Sequence, residues 1–204
     1  MEVSVIKYFK FLYSIIILFS IFIIIFFSST LSESTSANTS NNLTVYSSST
    51  ITSTSNYVWP IPGITRISSY FGKRKSPTAF ASSFHKGIDI PASPGTNIFA
   101  SMSGTVVTAG FSGSGGCTVT IKKDNILISY CHVSPNFIVT PGQYVEKGQL
   151  IAQVGPKNVY GFANNKYRDS NGNPTNGATT GPHLHLAIKE NNVYKNPLDY
   201  FDDF

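Results

Sequence analysis

From residue 57 onward, short apolar or alternating runs recur between clusters of Gly, Pro, Ser and Asn. They include GTVVTAG from Gly104, CTVTIKK from Cys117, ILISYCHV from Ile126, QLIAQVG from Gln149 and HLHLAIK from His183. Period-two alternation bounded by turn residues predicts strands. No long stretch carries helical periodicity, so the pattern predicts an all-β domain with antiparallel strands. One short helical turn is expected near NPLDYF, from Asn196.

The first 56 residues read differently. Residues 11–27, FLYSIIILFSIFIIIFF, contain no charge. At ~1.5 Å per residue a helix of this length spans roughly 26 Å, close to a ~30 Å hydrocarbon core. Lys7 and Lys10 precede it, and the next basic residue is Arg66. That asymmetry places the N-terminus inside and the remainder outside the membrane. Residues 1–28 are therefore expected to be a membrane anchor, with a cleaved signal segment and secretion as the alternative. Residues 29–56 are almost wholly Ser, Thr and Asn. They bury too little apolar surface to fold, and are expected to form a flexible linker. Residues 57–204 have the length of one ordinary domain.

The excess of five positive charges lies entirely within 57–204. Such a surface would gather near an anionic wall. The basic residues are scattered and no aromatic–basic motif stands out, so nucleic acid is not expected as a partner. Protein partners are not indicated.

The chain has four histidines, and their spacing changes the picture. His85 and Asp89 are four apart in FHKGIDI, and His132 closes a strand in ISYCHV. His183 and His185 lie two apart on a strand, so both project from one face, with Leu184 and Leu186 on the other. Three N or O ligands plus an open position is what a catalytic zinc site requires. Four histidines and one aspartate supply three ligands and leave two histidines for proton transfer. No HExxH is present, and no glutamate adjoins a histidine.

Four segments, taken in order, resemble the lysostaphin-type zinc metallopeptidases that cut peptides of bacterial cell walls. They are WPIPGITRISSYFGKR, FHKGIDIPASPGTNIFASMSGTVVTAG, YCHVSPNFIVTPGQYVEKGQLIAQVG and TTGPHLHLAIK. The combination of HxxxD, YxH and HxH carries the resemblance, over about residues 59–200. It implies an antiparallel sheet with a groove across one face. It also implies His85, Asp89 and His185 as zinc ligands and His132 and His183 as the catalytic pair. The implied substrate is a stem or cross-bridge peptide of peptidoglycan. A membrane-anchored scaffold on the same fold, acting in division or sporulation, is the alternative.

Two features fall outside the family pattern. Residues 156–180 form an Asn- and Gly-rich insertion leading into His183, expected to wall or cover the groove. Its DSNGNP, from Asp169, lacks the Gly and the final acid of a calcium loop, at Pro174 and Thr180. The two cysteines face each other if a hairpin turn is centred on Asp124. A disulfide between Cys117 and Cys131 is then expected, with two buried free thiols as the alternative. Strand alternation would turn the Cys131 thiol away from His132.

Overall fold

In a computed structural model, residues 56–77 and 81–202 are described. The anchor and linker expected over residues 1–56 lie outside them, apart from Asn56. Eleven strands follow in order: β1 (Gly72–Lys73), β2 (Phe84–His85), β3 (Ile88–Ile90), β4 (Asn97–Phe99), β5 (Gly104–Phe111), β6 (Cys117–Lys123), β7 (Ile126–Cys131), β8 (Tyr144–Val145), β9 (Leu150–Gln153), β10 (Leu184–Glu190) and β11 (Val193–Lys195). The helical content of these residues is two 3₁₀ turns, Gly113–Gly115 and Pro197–Tyr200. The second is the turn predicted at NPLDYF. Its Asn196 side chain accepts from Leu198 N–H, and Pro197 occupies a position that needs no donor.

All strand pairs are antiparallel, as the alternation predicts. The main sheet runs β11-β10-β7-β6-β5-β8, and β3 lies beside β11 along the same edge of β10. Asn191 and Asn192 both adopt positive φ, 51° and 64°, and close the β10–β11 hairpin as a two-residue turn. One face of the sheet is apolar because every second residue is. Ile88, Ile90, Val119, Ile121, Ile128, Tyr130, Leu184, Leu186 and Ile188 are all 0% exposed. They form a single cluster with Ile98 and Ile151 of the small β4–β9 sheet and with Trp59, Ile61 and Phe201. Each such aliphatic side chain contributes about 1.5–3 kcal/mol on burial. Tyr130 sits among them because its hydroxyl accepts a 2.7 Å bond from Ser101 N–H.

The β6–β7 hairpin departs from expectation by one register step. Lys123 pairs with Ile126, so the turn is Asp124-Asn125 and its centre falls between them. Cys131 therefore faces Thr118, not Cys117. Cys117 points into the apolar core while Cys131 lies on the opposite face, and both thiols are free. The disulfide expected from the hairpin geometry is not formed; a one-residue slip reverses every side chain.

Candidate metal centre and substrate groove

The second face of the main sheet is polar and forms the floor of a groove of about 760 Å³. Register builds it row by row. Asp89 of β3 lies opposite His185 of β10, His185 opposite Cys131 of β7, and Cys131 opposite Thr118 of β6. The next row holds Ala187, Ser129 and Thr120. His85 arrives from β2 through the turn at Lys86 and Gly87. That glycine is required by space: a Cβ there would sit 2.9 Å from two atoms of the His185 ring and closer still to Leu186 O.

His85, Asp89 and His185 meet at one point. His85 Nε2 lies 3.1 Å from Asp89 Oδ1 and 3.0 Å from His185 Nδ1, and His185 Nδ1 lies 2.8 Å from Asp89 Oδ1. Among the described residues these three form a cluster able to hold a metal ion. The surrounding bonds suit that use. His85 Nδ1–H donates to Tyr70 O at 2.9 Å, which leaves the Nε2 lone pair free for a ligand. Arg74 Nη1 donates to Asp89 Oδ2 at 3.0 Å and also bonds Ser69 Oγ, so the carboxylate is held by its outer oxygen. Burial alone would raise the Asp89 carboxyl, but the facing His183, His185 and His85 rings, donors to it when protonated, hold it well below the usual carboxylate range.

His132 and His183 stand beside this cluster. Their ring centroids are 4.7 Å apart, and His132 is 6.1 Å from His185. Each spends its Nδ1–H on a backbone carbonyl: His132 on Asn176 O at 2.6 Å, His183 on Gly181 O at 2.9 Å. Each therefore presents Nε2 as a base, and His183 Nε2 is 3.4 Å from Asp89 Oδ1. Burial, followed by the neighbouring His183 and His185, pushes the His132 pKa down to about 3, so it is neutral near pH 7. His132 sits just past the end of β7 at φ 59°, where strand alternation has stopped. That is why both Cys131 and His132 line the groove, contrary to the alternation argument. Burial pushes the Cys131 thiol up to about 11, which leaves it protonated rather than nucleophilic.

All five residues singled out in the sequence thus converge. The insertion forms part of the groove wall through Ala178, Thr179 and Thr180, as expected. The Asp169 carboxylate is occupied by its own loop, accepting from Asn171 N–H and Asn173 N–H through Oδ1.

Sequence reasoning missed Asn176. Its side chain is fully buried, with Oδ1 accepting from Cys117 N–H at 2.7 Å and Nδ2 donating to Val133 O at 2.9 Å. Those bonds fix the carbonyl that orients His132. Gly116 and Gly155 pack so tightly on it that a Cβ at either would overlap Asn176. Arg74 was missed as well. Its signal was a cation shortly before HxxxD, too common to single out.

An antiparallel sheet whose polar face gathers two histidines and an aspartate, with two more histidines alongside, defines a metallopeptidase type of site. The family model for Peptidase family M23 matches residues 83–197, and the chain belongs to that family. It is 31% identical over 134 residues to the peptidoglycan DD-endopeptidase ShyC of Vibrio cholerae, covering 65% of this chain and 26% of that protein. It is 33% identical over 135 residues to the DD-carboxypeptidase/endopeptidase Mpg of Neisseria meningitidis, covering 66% and 26%. The chain thus spans about a quarter of the length of the curated relatives it matches. Among solved structures, the catalytic domain of lysostaphin from Staphylococcus simulans is 25% identical with a TM-score of 0.51, covering 66% of this chain and 90% of that one.

Proposed function

We propose that the chain is a zinc-dependent endopeptidase that hydrolyses peptide bonds of bacterial peptidoglycan. The observation that carries this is the meeting of three ligand atoms within 3.1 Å of one another, beside two histidines whose Nδ1 atoms are committed to backbone carbonyls. His85, Asp89 and His185 would hold the ion; when bound, it supplies Lewis acidity to a scissile carbonyl and acidifies water. His132 and His183 are the proton carriers. With Nδ1 committed to a carbonyl, each accepts a proton at Nε2 and can return it to the leaving amine or donate to the developing oxyanion. The hydroxyls of Thr118, Thr120 and Ser129 on the groove floor suit an extended peptide, which carries its own donors and acceptors. We place this domain outside the membrane, tethered through residues 1–56, on the strength of the sequence pattern alone.

The test is zinc stoichiometry together with turnover on purified peptidoglycan. The chain should bind about one zinc, and His185→Ala should lose both metal and activity. Stoichiometric zinc in that variant would overturn the ligand assignment. Zinc bound with no hydrolysis would favour the scaffold alternative.

A further inference from the structure

The polar groove is electrically lopsided. Asp89 is the one carboxylate among its described lining residues, and it is already engaged by Arg74 and the histidines. Lys75 and Lys86 line the same groove and are exposed. Farther along the floor a second feature reinforces the imbalance. Tyr194 of β11 lies opposite Lys189 of β10 and itself lines the groove. Lys189 Nζ lies 4.6 Å from the Tyr194 ring centroid and Lys86 Nζ 5.2 Å from it. Two ammonium groups, one from the turn after β2 and one from β10, thus share one aromatic ring, which restrains both. Glu190, the carboxylate beside Lys189 in sequence, belongs to the opposite face of β10, where Tyr200 Oη donates to it.

Position converts this patch into a statement about substrate. His185 and Lys189 are on the same face of β10, four residues apart, which is roughly 13 Å at ~3.3 Å per residue. Lys86 immediately follows His85. An extended peptide crossing the metal cluster and running along β10 reaches the patch within about two to four residues of its scissile bond.

The geometry points to a subsite for a carboxylate, built by Lys86, Lys189 and Tyr194, which makes the preferred substrate an acidic peptide rather than a neutral oligoglycine bridge. The inference rests on the peptidase reading for its substrate, but the patch can be tested without catalysis. Two extended peptides of one sequence are compared, one with free carboxylates and one with every carboxylate amidated. Dissociation constants are measured on the metal-free full chain, and kcat/KM on the zinc-loaded full chain.

The acidic peptide should bind about tenfold tighter at low salt, and the ratio should shrink as ionic strength rises. Lys86→Gln with Lys189→Gln should bring the ratio to about one, and Lys86→Glu with Lys189→Glu should invert it. A ratio of one in the unaltered chain, or a ratio that survives the double Gln variant, would overturn the subsite. If the binding ratio holds while neither peptide is cut, the subsite stands and the proposed hydrolysis falls. If both peptides are cut and bound equally, hydrolysis stands and the subsite falls.

Discussion

Replacing Asn176 with alanine should damage the site without touching a metal ligand or a proton carrier. The side chain makes two buried bonds, to Cys117 N–H at 2.7 Å and to Val133 O at 2.9 Å. Both partners are backbone groups of 0% exposed residues, so each would be left unsatisfied away from water. Stranding a buried donor or acceptor costs about 1–3 kcal/mol. The pair therefore predicts a loss of about 2–6 kcal/mol, a large part of an ordinary domain's 5–15 kcal/mol. At about 3 °C per kcal/mol for a domain of this size, Tm should fall by roughly 6–18 °C. Turnover should fall further than folding alone explains, because Asn176 O accepts the His132 Nδ1–H bond at 2.6 Å. A displaced imidazole no longer presents Nε2 to the substrate, and misplacement by ~1 Å can cost 10²-fold. The assay is thermal unfolding beside zinc content and turnover, measured where the variant is still folded. Asn176→Asp should rescue only in part, since its Oδ1 still accepts from Cys117 N–H while its other oxygen opposes Val133 O. A variant Asn176→Ala with unchanged Tm and full turnover would refute the reasoning.

Gly87→Ala should weaken metal binding, because its Cβ would lie 2.9 Å from the His185 ring, about 0.5 Å inside an ordinary 3.4 Å contact; chelator competition measures this. Replacing Leu186, fully buried beneath the site, by alanine should cost about 2–5 kcal/mol in urea unfolding. Both thiols should resist iodoacetamide in the native chain at pH 8, since burial pushes Cys117 and Cys131 up to about 11; rapid double alkylation would contradict the fold around them. The folded Cys117 thiol keeps its proton above the ordinary value near 9 while the unfolded one releases it, so stability should fall as pH rises from about 9 to 11. A denaturation midpoint that stays flat over that window, and matches that of Cys117→Val, would reject the assignment.

What the sequence made legible was whatever repeats at period two or carries unusual chemistry. CTVTIKK became β6 with its bounds unchanged, and HLHLAIK became β10 shifted by a single residue. The HxxxD and HxH spacings placed His85, Asp89, His183 and His185 together because strand alternation and pairing put them there. The two- and three-residue strands β1, β2, β3, β4, β8 and β11 are too short to show a period. The register of the β6–β7 hairpin hinged on whether its turn held an odd or even number of residues, and no residue there announces which. His132 escaped the alternation rule through one backbone angle, fixed by tertiary bonds from its own N–H to Gly115 O and from Gly155 N–H to its carbonyl. Asn176 was hidden by company: it is one asparagine in an insertion full of them, and only burial distinguishes it.

The placement of β10 has a consequence for the order of events when the chain is made. His85 and His185 are 100 positions apart in sequence, yet their nitrogens approach to 3.0 Å. The strand that joins them is the last long one, and it slots between β7 on one side and β3 with β11 on the other. Until residues 184–190 emerge and dock, β3 and β7 are bare edges and the cluster lacks one of its three ligands. The ion site and the closed sheet therefore arrive in the same late, long-range step, the kind that sets a slow folding rate. A chain still in synthesis holds no assembled cluster, so any ion bound there would mark the completed fold.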